Sequence, residues 1–321
     1  MKIPASLKRL FVIYACSSFL FPIMVHSRSR DGIVDFPFGG IVRTYYFHQP
    51  LSRAGSDRIP LLIVLHGAGG TGKGMVKLTN GEFDSLADRD DFYVVYPDGI
   101  NKHWNDGRTR VEMEYKEGQV PDDVAFISAL VDTFVNSMNV DPKRVYVTGM
   151  SNGATMTYRL GFELSDKLAA IASVDGDVIA ENADTGLAGR PLSVLVINNT
   201  KDPLMPWGGG NITGPLGLRK LGKVFSVRQS VSIWVKRDGC GSVPVVFDMP
   251  DKDPDDGTRV TRESYSGGNE GTEVILYAIE GGGHTWPGGS QYLPAFLIGK
   301  TCRDIKACDI IWDFFRRHVR N

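Results

Sequence analysis

Ser151 stands in Gly149-Met150-Ser151-Asn152-Gly153, with strand-like residues before it (Val145–Thr148) and a helical pattern after it. A serine hydroxyl is a poor nucleophile until a base takes its proton, and that base needs an orienting carboxylate. In a G-x-S-x-G turn from strand to helix, the glycines omit β-carbons that would collide as the turn tightens. The serine is then held strained, its hydroxyl above the sheet, with the helix start aiming N–H groups at developing negative charge. Without partners, such a serine reads as a helix N-cap.

Partners are present. Of the six histidines, two follow Ser151. His318 lies in FFRRHVR at the tail of the final helix, where a cation complements the dipole. His284 lies in EGGGHTWPGG, a glycine-rich loop directly after a strand, and is the expected base. For the acid, Asp202 follows the strand Ser193–Ile197 in NNTKDPLMPW, where Pro203 stiffens its turn. Asp175, in SVDGD after Ile171–Val174, is its rival and otherwise reads as a turn or capping carboxylate. The order Ser, Asp, His suits a nucleophile turn of this kind. The loop His66-Gly67-Ala68-Gly69-Gly70 offers a backbone N–H to an oxyanion, and Asn152, after the nucleophile, offers a second. GAGGTGKG is not a phosphate loop, because Gly74 stands where Ser or Thr must follow the lysine.

The elements around these residues alternate. Leu61–Leu65, Tyr93–Tyr96, Val145–Thr148, Ile171–Val174, Ser193–Ile197 and Val274–Ile279 are short, β-branched runs that read as buried strands. Between or after them lie helical patterns over Val120–Met138, Asn152–Leu164, Val224–Asp238 and Ala307–His318. The alternation predicts an α/β fold, a mostly parallel sheet with helices on both faces. Val42–Phe47 is expected to add an edge strand. Met205–Leu221 and Pro250–Asn269 read as long loops. No repeat or low-complexity linker interrupts the chain.

With 36 basic and 37 acidic residues, the chain offers no electrostatic reason to bind nucleic acid or an anionic membrane. Residues 1–27 have the build of a cleaved signal peptide: Lys2, Lys8 and Arg9, an apolar run Leu10–Val25, then Val25-His26-Ser27. Tyr14 argues against a lipoprotein modified at Cys16. Export with cleavage predicts a secreted or periplasmic protein without stable membrane insertion, its residues 28–321 a single catalytic domain. The mature chain keeps Cys240, Cys302 and Cys308, an odd number whose pairing the sequence leaves open.

HGAGG, YPDG, WNDGR, DDVAFISAL, VDPKRVYVTGMSNG, DPLMPW and GGGHTWPGG occur in the order found in the secreted polyhydroxybutyrate depolymerase-like and feruloyl esterase-like α/β-hydrolases, which belong with the family-one carbohydrate esterases. The chain resembles them from about Tyr45 to Arg317. The resemblance implies an α/β-hydrolase fold and a serine esterase with a Ser151–Asp202–His284 triad. It places the oxyanion hole at Ala68 and Asn152, needs no cofactor or metal, and puts WNDGR (Trp104, Asn105) and Trp286 at the substrate cleft. Two departures stand out. Ala154 replaces the second glycine that usually follows Ser-Asn. Cys240 resembles a family cysteine whose usual partner falls near Gly268–Gly271, where this chain has none.

The expected reaction is acyl transfer to water from a small or oligomeric ester, free or linked to polysaccharide. Hydroxyalkanoate oligoesters, feruloyl esters and acetyl esters compete as substrates, and Trp104, Trp207 and Trp286 are able to stack on a phenolic ring or a sugar. Acyl transfer to a sugar, amide hydrolysis and a non-catalytic binding role are the rival readings.

Overall fold

The computed structural model describes residues 31–51, 57–108, 120–182, 189–214 and 220–321. The signal-peptide expectation, Cys16 included, lies outside them. Among the described residues, twelve strands and seven α-helices follow in chain order: β1 Asp31–Phe38, β2 Ile41–His48, β3 Ile59–Leu65, α1 Gly72–Leu78, α2 Glu82–Asp90, β4 Tyr93–Pro97, α3 Asp123–Ser137, β5 Val140–Met150, α4 Asn152–Glu163, β6 Ala170–Val174, β7 Ser193–Asn199, β8 Gly210–Thr213, β9 Lys220–Val224, α5 Val227–Asp238, β10 Val245–Asp248, β11 Arg259–Tyr265, β12 Val274–Glu280, α6 Ala295–Ile298 and α7 Ala307–Phe315.

Ten strands form one sheet in the order β1-β2-β4-β3-β5-β6-β7-β12-β11-β10. The run from β4 to β12 is parallel, and an antiparallel pair extends it on each side. The central strands β6 and β7 are buried at every residue, as their unbroken apolar runs require when helices cover both faces. Side chains alternate between two layers. Leu61, Ile63 and Leu65 of β3 join a core with α3, α4 and α5; Leu62 and Val64 join a second core with α1, α2 and α7.

The helices start where the chain supplies caps. Asp122 accepts a hydrogen bond from the Ala125 N–H at 2.9 Å. Ser226 and Gln229 form a reciprocal capping box on α5, which ends at Gly239 in the left-handed region.

Four expectations need correction. Val42–Phe47 lies in β2, but β1 pairs along its whole outer side, so the edge is Asp31–Phe38. Of β1 only Phe36 is fully buried, so the strand carries little apolar periodicity. Pro250–Asn269 is not all loop: it contains β11, which carries the antiparallel pair with β10. Met205–Leu221 contains β8 and the start of β9, a separate two-stranded sheet. The helix placed from Val224 begins at Val227, because Val224 still pairs with Gly210. Among the described residues no helix is long and apolar enough to cross a membrane, and Cys240, Cys302 and Cys308 are free thiols.

Candidate active site

Strand register gathers the chemistry at one edge of the sheet. Leu65 pairs with Gly149, Met150 with Val174, Val174 with Ile197, and Ile197 with Tyr277. The loops that leave β3, β5, β6, β7 and β12 therefore emerge side by side. They carry His66–Gly70, Ser151, Asp175, Asp202 and His284.

Ser151 has φ 57° and ψ −120°, a region that a residue with a side chain enters only under tertiary constraint. Its N–H donates to the Val174 carbonyl at 3.0 Å, and its carbonyl accepts from Ala154 and Thr155 in the first turn of α4. The flanking glycines are required. A β-carbon on Gly149 would stand 2.5 Å from the Gly153 carbonyl oxygen, and one on Gly153 would stand 2.5 Å from the Leu65 oxygen. The extra methyl of Ala154 is accommodated by another glycine, since a β-carbon on Gly176 would lie 2.4 Å from it.

The His284 Nδ1–H donates to Asp202 Oδ2 at 2.6 Å. The other oxygen of Asp202 accepts from the N–H groups of Leu204 and Met205 at 2.7 and 2.8 Å, as a turn stiffened by Pro203 allows. Burial by itself lowers the His284 imidazole, but the Asp202 charge and hydrogen bond, with Asp175 beyond, outweigh it and raise its pKa. Asp175 does not bond the imidazole. It accepts from the Thr285 N–H at 2.9 Å, one residue along from the base.

The glycine loop is pinned by His66. Its Nδ1 lies 2.8 Å from the Gly67 carbonyl and its Nε2 accepts from the Gly99 N–H at 2.9 Å, which selects the neutral tautomer with the proton on Nδ1. Burial, the dominant influence, lowers its pKa accordingly. Gly67 lies against the nucleophile turn: a β-carbon there would stand 3.3 Å from that of Ser151. The N–H of Asn152, the first helical residue, has no intrahelical acceptor.

Ser151, Asn152, Ala68 and His284 all line one cavity of about 350 Å³. Its remaining wall is mainly apolar, including Met75, Leu78, Leu204, Ile212, Tyr292 and Leu293. Arg108 brings a guanidinium to the wall, paired with the buried Asp106 and donating to the Leu221 carbonyl at 3.0 Å. Burial pushes the Asp106 carboxyl up, but Arg108, Thr155 and Asn152 together hold it below the ordinary range.

The four residues expected at the substrate cleft are not in this wall. Trp104 is 1% exposed and works as a strut. Its indole N–H donates to the His66 carbonyl at 2.9 Å, and its backbone N–H to Asn152 Oδ1 at 2.8 Å. Asn105 turns to α3, donating from Nδ2 to the Pro121 carbonyl at 2.9 Å. Trp286 is wholly buried, edge-on to Phe83. Trp207 is half-buried on the core, with the Arg228 guanidinium 5.8 Å from its ring. Aromatic size suggested stacking surface; close packing of large rings claimed them first. The apolar wall was missed because it is assembled from separate places: Met75 and Leu78 in α1, Leu204 after Asp202, Ile212 in the short strand β8, and Tyr292 and Leu293 in the loop before α6.

The chain matches the family model "Esterase PHB depolymerase" over residues 44–204. It is 32% identical to NocK of Nocardia uniformis subsp. tsuyamanensis, a protein named as an esterase, over 86% of this chain and 79% of that one. It is 27% identical to feruloyl esterase B of Piromyces equi, over 73% of this chain but 41% of that protein. Among solved structures, the acetyl xylan esterase from Aspergillus awamori has the same fold, with a TM-score of 0.51 at 16% identity, covering 76% of this chain and 89% of that one.

Proposed function

Because the chain belongs to the PHB depolymerase esterase family of α/β-hydrolases, and so is a carboxylic ester hydrolase, we propose that it is an exported serine esterase working through Ser151, His284 and Asp202 on esters with an apolar acyl group. The observation that carries this reading is the strained Ser151 on the cavity wall that His284 also lines, with the imidazole held by Asp202. His284 Nε2 takes the hydroxyl proton as Oγ attacks the carbonyl carbon. The imidazolium keeps its Nδ1–H bond to Asp202, and the backbone N–H groups of Ala68 and Asn152 stabilise the oxyanion. His284 then protonates the leaving alcohol, and water attacks the acyl-enzyme by the same steps in reverse.

The wall supports one side of the choice among substrate classes. Met75, Leu78, Leu204 and Ile212 favour an aryl or hydroxyalkyl acyl group over acetyl, and the cavity exceeds what an acetyl group fills. The relative from Piromyces equi is named for feruloyl esters, which fits the aryl option. Methyl ferulate, hydroxybutyrate trimer and acetylated xylan test this, with acetylated xylan expected to be slowest. Ser151→Ala is expected to lower kcat by about 10⁶ and to abolish fluorophosphonate labelling. Retained hydrolysis would remove the assignment. Adding a sugar acceptor and analysing products separates hydrolysis from transfer.

Residues 28–321 are proposed to form one catalytic domain released by cleavage near Ser27. The charged start, apolar run and small residues of the leader support this. N-terminal sequencing of the protein recovered outside the cytoplasm checks it, and an intact Met1 there would count against export by cleavage.

A further inference from the structure

Two buried carboxylates face the imidazole. Asp175 leaves β6 with φ 49°, in the left-handed region, and its side chain is wholly buried. Its Oδ1 accepts from the Asn199 backbone N–H at 3.1 Å and from Asn199 Nδ2 at 2.8 Å, and its Oδ2 from the Thr285 N–H at 2.9 Å. An oxygen of Asp175, an oxygen of Asp202 and a ring nitrogen of His284 all lie within 4.8 Å of one another. A turn carboxylate bonds N–H groups in its own loop. Asp175 instead bonds residues 24 and 110 positions away, tying the end of β6 to the end of β7 and to the loop that carries the base.

We propose that Asp175 is a positioning residue for the base: it fixes the His284 segment through the Thr285 N–H and adds a second negative charge beside the imidazolium that forms as Ser151 attacks. The inference rests on the triad reading given above. The proton from Ser151 Oγ goes to His284 Nε2 and later to the leaving alcohol, and Asp175 takes none of it. Three N–H donors favour its charged form. Burial, and next the charge of Asp202, oppose that form and raise the Asp175 carboxyl well above the ordinary range. The His284 charge acts in the opposite sense and favours the Asp175 carboxylate, so the carboxylate and the imidazolium stabilise each other and titrate as a coupled set. Of the other groups near this cluster, burial raises the Tyr292 phenol, with Asp175 and Asp202 adding to it, and burial raises the Asp177 carboxyl, with a hydrogen bond to Ser230 opposing and Asp202 adding.

The test is the pH profile of kcat/KM for Asp175→Asn, an isosteric change that keeps an acceptor oxygen. Removing the charge lowers the imidazole pKa, so the acidic limb is expected to move to lower pH. The Nδ1 proton resonance of His284, followed by NMR, is expected to titrate at lower pH in step. An unmoved limb and an unmoved resonance would reduce Asp175 to a structural bracket and overturn the proposal. Asp202→Asn supplies the variant that does not depend on Asp175→Asn folding. With a second carboxylate in place its loss in kcat is expected to stay near 10³, against about 10⁴ where a triad acid has no substitute. The Asp202→Asn/Asp175→Asn double variant is expected to lose about tenfold more, and a double variant equal to Asp202→Asn would also overturn the proposal. Ser151→Ala reports on the triad separately: activity without Ser151 would sink both readings, whereas activity lost there with no Asp175 effect sinks this one alone.

Discussion

Ser151 and Trp104 show how a residue's environment sets its role. A serine with φ 57° carries strain of about 1–3 kcal/mol. The bonds on either side of it, and the glycines that allow Leu65 and Met150 to close in, hold it there. Trp104 was expected to touch substrate, yet its indole joins the glycine loop to the start of α4. Trp104→Phe deletes the indole N–H donor to His66 while keeping an aromatic ring. The expected result is a lower kcat, by about tenfold, shared equally by aryl, hydroxyalkyl and acetyl esters. A change confined to aryl substrates would put Trp104 back at the cleft. Arg108 shows the same economy: Asp106 neutralises it, and together they hold Asn152 and Thr155, the residues directly behind the nucleophile.

Among elements, the contact between α4 and the loop after β6 is tightly fitted at Ala154, the position where the sequence resemblance leads one to expect glycine. Ala154 adds a methyl at the first turn of α4, and Gly176 leaves the room it needs. Gly176→Ala places two β-carbons in conflict at 2.4 Å and is expected to destabilise by about 1–3 kcal/mol, read as a lower urea midpoint. Ala154→Gly in the same chain is expected to recover part of the loss. Recovery is incomplete because the new methyl still meets the Ser151 carbonyl at 3.0 Å and the Thr155 nitrogen at 3.2 Å. No recovery at all would show that the two positions are not coupled. Cys240 is a free thiol, its sulfur 3.7 Å from the Thr272 carbonyl. Its sulfur lies 2.7 Å from where a β-carbon on Gly268 would stand, the place its resemblance to relatives pointed to.

On the scale of the whole molecule, α5 carries a buried charge that makes stability depend on pH. Asp238 accepts from the Leu192 N–H at 3.0 Å. Burial pushes its carboxyl up to about 7, over the opposing influence of that N–H and of Arg237. Between the ordinary aspartate range and about 7 the folded chain holds a proton that the unfolded chain has released. Stability from this group is therefore present at low pH and falls as pH rises through that window. Asp238→Asn is expected to match the parent's Tm near pH 4 and to exceed it at pH 8. Equal Tm values at both pH values would show that the folded carboxylate is not strained by burial. Neighbouring groups titrate as well, so the comparison is between variant and parent at each pH.

Much of this protein was legible from local chemistry. The G-x-S-x-G turn, the glycine loop of His66, the order of serine, aspartate and histidine, and the buried central strands all follow from short-range rules: steric exclusion around glycine, hydrophobic periodicity, and the need of a hydroxyl for a base. Chain periodicity could not reveal β10, β11, β8 or β9, whose pairing partners, not their own patterns, make them strands. It likewise ranked Asp202 above Asp175 but treated them as competitors. Folding packed both against one imidazole, because strands distant in the chain become neighbours at one sheet edge. The same packing put Trp104 and Trp286 in the interior and left the cavity wall to apolar residues from α1, β8 and the loops after β7 and β12, which only the folded chain brings together.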